Sequence, residues 1–351
     1  MPPANKCGRS MPSRNVHLDI GINGAFLTRR WEQPENWMRL TRECGYTAHS
    51  FCGDVIDPFF SGDRAFQREQ AQATREAAAR YGVTICDLYT GVATHRFHGL
   101  SHSDPRPRAR MRDWILAAAE IAVALGTDLL GGHWDAFSCE VLADPQQTQE
   151  ATERLYATFR SLARDLAPMG LRALMQEQMY IPSEKPWTLQ ECQDFLLAVN
   201  RDHPGAIPVR VTLDTGHQAG MHYGLKGEDL DYLAWLRRFG CVSEVIHLQQ
   251  TTPDASHHWA FTPAFNARGH VDMEKVLEAI RASHEHYAEQ PFAGVLPPVE
   301  RHWLVAEIIP GSTKTETQLL AELTESARFL RGFLPEGGLD WRFPSDGLSA
   351  S

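Results

Sequence analysis

Four side chains in this sequence could together hold one divalent cation: Glu177, Asp214, His247 and Glu307. Each stands at or near the end of a short apolar or alternating run, LRALMQE (171–177), VRVTLD (209–214), SEVIHL (243–248) and WLVAEI (303–308). Three carboxylates and one imidazole form a hard, mixed donor set. Carboxylate oxygens suit Mg²⁺ and Mn²⁺, and the imidazole widens the choice to Mn²⁺ or Co²⁺, with Mn²⁺ the expected ion. No Cys stands at these ends, which argues against a structural zinc site. A cation held in this way can stabilise the negative charge that develops when a proton leaves the carbon beside a carbonyl.

Four such runs in a row need a scaffold that brings strand ends together. The chain alternates strand-like and helix-like segments. Strands are expected at 16–22, 46–50, 83–89, 128–133, 171–177, 209–214, 243–248 and 303–308. Between them, Met111, Trp114, Ile115, Ala118, Ile121, Ala122 and Leu125 recur at helical spacing, with Gly126 as the C-terminal stop. Leu155, Phe159, Leu162 and Leu166 make the face of a second helix, ended by Gly170. Thr188 with Glu191, and Thr315 with Gln318, read as capping boxes opening helices through about Asn200 and Leu330. Segments 229–239 and 272–287 are two more helices. Eight strands, each followed by a helix, make the pattern of an α/β fold, a single-domain (β/α)8 TIM barrel over residues 16–332. A doubly wound open sheet is the rival, weakened because no Gly-rich phosphate fingerprint follows the first strand. Residues 1–15 are expected to be a disordered tail, with Met11 a second candidate start, and 333–351 a peripheral Gly/Ser/Pro-rich tail.

Strand parity tests the site. Side chains alternate faces with period two. If Asp214 points into the barrel, Val209, Val211 and Leu213 face the helices. Leu174 does so beside Glu177, Ile246 beside His247, and Leu304 and Ala306 beside Glu307. All four candidate ligands then share the inward face at the mouth, where barrel active sites lie.

Composition excludes several classes. The 351 residues carry 34 Lys+Arg against 44 Asp+Glu, a net charge of −10, and 43% are hydrophobic. That is ample for a full core, and the acidic balance argues against broad nucleic-acid or anionic-membrane binding. No apolar run is long enough for a membrane span, and the N-terminal segment lacks the apolar stretch of a secretion signal. The seven Cys are scattered without C-x-x-C, as expected of reduced thiols in a cytoplasmic protein.

The segments QEQM (176–179), LDTGHQ (213–218), HLQQT (247–251) and AEI (306–308) resemble the xylose-isomerase-like TIM barrels, above all the D-tagatose/D-psicose 3-epimerase group. The resemblance covers about residues 16–332. The stretch HLQQTTPDASHHWAFTPAFNARGHVD further resembles the erythrulose phosphate epimerases. It implies a divalent metal on Glu177, Asp214, His247 and Glu307, with Glu177 and Glu307 also the acid/base pair. It implies that His217, three residues beyond Asp214, binds substrate, and that a small sugar or sugar phosphate is the partner. Homodimers are the family habit. The family's sugar epimerases often place an Arg just after the metal His, where this chain has Thr251, Thr252 and Pro253. That departure puts simple free-ketohexose specificity in doubt.

Other residues are candidates beside these. Gln249 shares the parity of His247 and could reach a sugar hydroxyl or metal-bound water. His133 with Trp134, and His49 with Phe51, could form pocket walls. His257, His258 and Trp259 lie in a long connection after strand seven, with His258 a candidate substrate contact. Lys185, after strand five, and Arg96, Arg106, Arg108 and Arg110, after strand three, are the cations a phosphate would need. An endonuclease IV-like metallohydrolase would require more His ligands than His49 and His133 supply. Inosose-type dehydratase or lyase chemistry begins with the same proton abstraction and stays open, as does an aldose–ketose isomerase. A non-catalytic sugar-binding barrel would not need two opposed carboxylates.

Overall fold

A computed structural model of the protein describes residues 13–91, 94–202 and 204–344. Eight parallel strands close into a barrel: β1 (Ser13–Asn23), β2 (Ala48–Cys52), β3 (Thr84–Tyr89), β4 (Leu129–Gly132), β5 (Ala173–Glu177), β6 (Val209–Asp214), β7 (Val245–Leu248) and β8 (Arg301–Ala306). The strands pair in chain order, and β1 closes the ring by pairing with both β8 and β2. The eight long helices are α1 (Pro34–Glu43), α2 (Arg64–Tyr81), α3 (Pro105–Leu125), α4 (Pro145–Leu166), α5 (Leu189–Asn200), α6 (Tyr232–Phe239), α7 (Met273–Glu285) and α8 (Glu316–Arg331).

Two apolar cores follow from strand parity. Leu174, Val209, Val211, Leu213, Ile246, Leu304 and Ala306 belong to the layer between strands and helices, as alternation predicts. Ala173, Met175, Val245, Trp303 and Val305 face the other way and fill the barrel interior with Ala48, Cys86 and Leu129. This inner plug seals the barrel below the mouth, where barrel active sites lie.

Local chemistry sets the helix ends. Asp104 caps α3 through the Arg106 N–H, Pro105 supplies its first turn, and Gly126 ends it at φ +88°, where a side chain would be strained. The Thr315–Gln318 box opens α8 with both reciprocal hydrogen bonds. At α5 only half of the expected box forms. Thr188 accepts the Glu191 N–H, but the Glu191 carboxylate turns to the Lys185 ammonium and the Trp187 N–H. The helix α2 gives a weaker sequence signal, because it packs on small residues, Ala71, Thr74, Ala77 and Ala78, in place of a Leu/Ile stripe.

Both expected tail boundaries move outward. β1 begins at Ser13, and residues 339–344 form a ninth strand, β9 (Leu339–Pro344), antiparallel to its first half. The alternation Leu339, Trp341, Phe343 is a strand signal that the surrounding Gly/Ser/Pro composition hides. Trp341 and Phe343 are buried, and Phe343 stacks on His284 of α7. The expected tail at 1–12, including Met11, and residues 345–351 lie outside the described residues. No described helix is long and apolar enough to cross a membrane.

Candidate active site

Adjacent strands deliver the four candidate ligands in order. Glu177 ends β5, Asp214 ends β6 and pairs in register with His247 on β7, and Glu307 follows directly after β8. The Glu307 N–H donates to the Leu248 carbonyl at 2.9 Å, which extends the ladder one step and holds the residue at the depth of the others. His247 lies at the centre. Its Nδ1 is 3.1 Å from Glu177 Oε1, 3.4 Å from Glu307 Oε2 and 4.0 Å from Asp214 Oδ2. One donor atom from each of the four lies within 4.8 Å of the others, and all four residues are buried.

The cluster requires a positive charge. Among the described residues no Lys or Arg pairs with these three carboxylates, and Asp214 Oδ2 is buried without a hydrogen-bond partner. Burial disfavours charge on every member. For Glu177 the His217 and His247 imidazoles outweigh that burial and bring the carboxyl down to about 2. For Glu307, likewise buried, His247 and His258 hold it well below the usual range. Asp214, whose burial is least compensated, is raised. His247 resists protonation by burial, yet Glu307 and Glu177 together raise it well above the ordinary value. A site that draws a proton onto a buried imidazole is equally suited to a divalent ion, which would displace that proton and take the Nδ1 lone pair. The donor set and the orphaned carboxylate oxygen therefore fit a hard divalent metal.

A cavity of about 380 Å³ opens over this cluster. Glu177 and Glu307 both line it, with His217, His258, Tyr180 and Glu184 from the second half of the barrel. Asn23, Cys52, Tyr89, His95 and Arg96 come from the first half. Larger hollows lie elsewhere, such as one of about 920 Å³ around Arg172, Arg210 and Trp303, and it includes none of the four candidate ligands. The volume over the carboxylates lies within the range of about 300–1,000 Å³ usual for small-molecule sites.

Residues 38–287 match the family described as xylose isomerase-like TIM barrel. A D-erythrulose 1-phosphate 3-epimerase from Brucella abortus is 30% identical over 266 residues, covering 75% of this chain and 83% of that protein. The chain belongs to the xylose isomerase-like TIM-barrel family. This family member is an enzyme of the sugar epimerase and isomerase type. At the level of fold it superposes on a putative xylose isomerase from Rhodospirillum rubrum with a TM-score of 0.76, at 20% identity and covering 90% of this chain and 99% of that one. A D-psicose 3-epimerase from Clostridium cellulolyticum gives a TM-score of 0.61 at 18% identity, covering 90% and 98%.

The xylose isomerase-like barrel brings some of the expected substrate residues to the cavity and keeps others away. His217 lines it; its Nδ1 donates to the Gln178 carbonyl at 2.9 Å, so Nε2 is the ring nitrogen left for a ligand. His258 lines it too, with Nδ1 3.3 Å from Glu307 Oε2. Gln249 does not reach the cavity. It is fully buried, donates to Asp214 Oδ1 at 2.9 Å and accepts the His258 N–H at 2.6 Å, so it orders a ligand and a loop. His133 sits behind the wall with Nδ1 on the Gln176 amide at 3.2 Å, its ring 6.0 Å from that of His95, and burial holds it down to about 3. Lys185 turns away to Glu191, because the α5 N-terminus offers it a carboxylate. His49, Phe51 and Trp134 are core residues, and His257 stacks on Trp259 at 4.0 Å. No spacing rule in the sequence separates the wall residues Asn23, Tyr89, Tyr180 and Glu184 from core ones.

Proposed function

We propose that this protein is a divalent-metal-dependent 3-epimerase of a ketose phosphate, a tetrulose phosphate such as erythrulose phosphate. The observation that carries this reading is the pairing of Glu177 and Glu307 on one cavity, both within 3.4 Å of the same His247 nitrogen. They come from β5 and β8, on different sides of the mouth, as two bases addressing opposite faces of one carbon must. The Brucella relative's name, which specifies D-erythrulose 1-phosphate, favours a short phosphorylated ketose.

Glu177, Asp214, His247 and Glu307 would hold the ion, with Mn²⁺ expected and Mg²⁺ or Co²⁺ chemically acceptable. When bound, the ion supplies electrostatic stabilisation to negative charge on the substrate's carbonyl oxygen. One of the two glutamates removes the proton from C3, and the other returns a proton to the opposite face. His217 Nε2 accepts from a sugar hydroxyl and fixes the carbon between the two carboxyls. Asn23 Nδ2, 3.4 Å from Glu307 Oε1, and His258 on the other oxygen set the orientation of that carboxyl.

Proton NMR in D2O with Mn²⁺ tests this, using erythrulose phosphate and then fructose, tagatose and psicose. Deuterium entering C3 with appearance of the epimer is the expected result, abolished by chelation and restored by Mn²⁺. Deuterium at C1 or C2 with aldose formation would reassign the chemistry as isomerisation. No exchange on any ketose, or full exchange in metal-free protein, would overturn the reading.

A further inference from the structure

The cavity over Glu177 and Glu307 has a single Lys or Arg on its wall among the described residues, Arg96. Arg96 ends one 3-10 turn, Thr94–Arg96, in the connection from β3 to α3. The other cations expected to serve a phosphate are committed elsewhere. Lys185 pairs with Glu191, and Arg106 with Asp104. Arg108 donates to the carbonyls of His102 and Ser103, and Arg110 lies over the Phe59 ring at 3.5 Å. Arg96 is exposed and makes no hydrogen bond or ion pair among the described residues.

An exposed arginine without a partner is ordinarily a solvated surface group. This one faces a cavity that three carboxyl groups line, Glu177, Glu307 and Glu184, and His258 on the same wall is held by Glu307. A phosphate dianion entering beside three carboxyl groups is repelled unless a cation offsets them. The N-terminus of α3, next along the chain, is already capped by Asp104, so it offers that anion little. Glu184 shares the wall with Arg96 but forms no ion pair with it. Burial raises its carboxyl to about 7, against the His217 imidazole and the Arg96 guanidinium, which lower it. A planar guanidinium matches two phosphate oxygens at once, which a neutral sugar hydroxyl cannot reproduce.

We propose that Arg96 is the anion ligand of this cavity and binds the phosphate monoester of the substrate. The proposal rests on the epimerase reading for the identity of the reacting carbon, and on geometry alone for the anion.

Two measurements on Mn²⁺-loaded protein separate these claims. Calorimetric titration with glycerol 3-phosphate, and with glycerol as control, reads binding without turnover. Arg96→Gln is expected to weaken glycerol 3-phosphate roughly ten- to a hundredfold, with Arg96→Lys recovering part of the loss. In the deuterium-exchange assay, Arg96→Gln is expected to raise KM for the phosphorylated ketose by at least about ten times more than for the free ketose. Equal losses on both ketoses, or equal binding of glycerol 3-phosphate to both proteins, would overturn the assignment, as would no binding to wild type. If wild type exchanges no ketose, the epimerase reading fails and the titration alone decides Arg96.

Discussion

Gln249 Nε2 donates to Asp214 Oδ1 at 2.9 Å, and this buried contact orients the carboxylate of the candidate metal centre. The Gly216 N–H donates to the same oxygen at 2.5 Å, so Oδ2 is the oxygen left for an ion. The other end of the Gln249 amide accepts the N–H of His258, a non-glycine residue at φ +50°. One side chain thus links a candidate metal ligand to the loop that carries a cavity residue.

Gln249→Leu keeps the volume and removes these contacts, together with the one from Nε2 to Ser256 Oγ at 2.9 Å. Divalent-metal affinity is expected to fall about 10–100-fold, the usual cost of losing a group that orients a ligand. Competition against a fluorescent chelator measures it. Unchanged affinity would show that the Gly216 N–H alone is sufficient to orient Asp214.

Glu307→Gln is nearly isosteric and stays within reach of Asn23 and His258. Epimerisation is expected to drop by about 10²–10⁴-fold while the thermal midpoint moves little. On the proposed mechanism, with the two glutamates on opposite faces of the carbon, each single variant should retain deuterium wash-in from one epimer only. Glu177→Gln and Glu307→Gln should differ in which epimer exchanges. Near-normal turnover in either variant would remove that residue from the acid/base pair.

A buried imidazole pair at the other end of the barrel predicts acid sensitivity. His302 Nδ1 donates to the Ser243 carbonyl at 2.8 Å, so its Nε2 must accept from His284 Nε2–H at 2.7 Å. His284 Nδ1 then accepts from Arg14 at 2.8 Å. Every hydrogen in this chain is assigned, and a further proton on either ring breaks it. Burial accordingly holds His302 down to about 4 from 6.5. The unfolded chain binds more protons between these values, so stability is fully present above about pH 6.5 and is lost as the pH falls towards 4. The expected loss is up to about 3 kcal/mol, read from urea midpoints across that window. His302→Gln should flatten the slope; an unaltered slope would place the acid sensitivity elsewhere.

The last strand is expected to matter for stability and not for chemistry. Trp341 is buried where β9 covers the first half of β1, a stretch that β2 leaves unpaired. Trp341→Ala should cost about 3–5 kcal/mol by urea unfolding, the usual range for a buried aromatic. Exchange activity per folded molecule should be retained, since β9 contributes nothing to the cavity wall.

The donor set could be read in the sequence because strand geometry is local. A period of two decides which face a residue takes, so Val211 and Leu213 on one side place Asp214 on the other, and the same holds for Ile246 beside His247. Helix stops such as Gly126 and the Thr315–Gln318 box are equally local, since each needs only a few neighbouring residues. The helix α2 was harder, because its packing face is built of Ala and Thr and gives little periodic contrast. The strand β9 was hidden because its partner, β1, lies more than 300 residues away in the chain.

What the sequence by itself determined was the kind of chemistry: three carboxylates and an imidazole, inward on consecutive strands. The tertiary structure decided which neighbours serve that chemistry. Gln249 and His247 share parity, yet Gln249 is spent on Asp214 and His258, because the loop after β7 folds back over it. Lys185 and Arg96 are both basic residues near the mouth, yet Glu191 captures the first and no acid captures the second. Those outcomes depend on distances across the closed barrel, and barrel closure is a property of all eight strands together, which no single segment encodes.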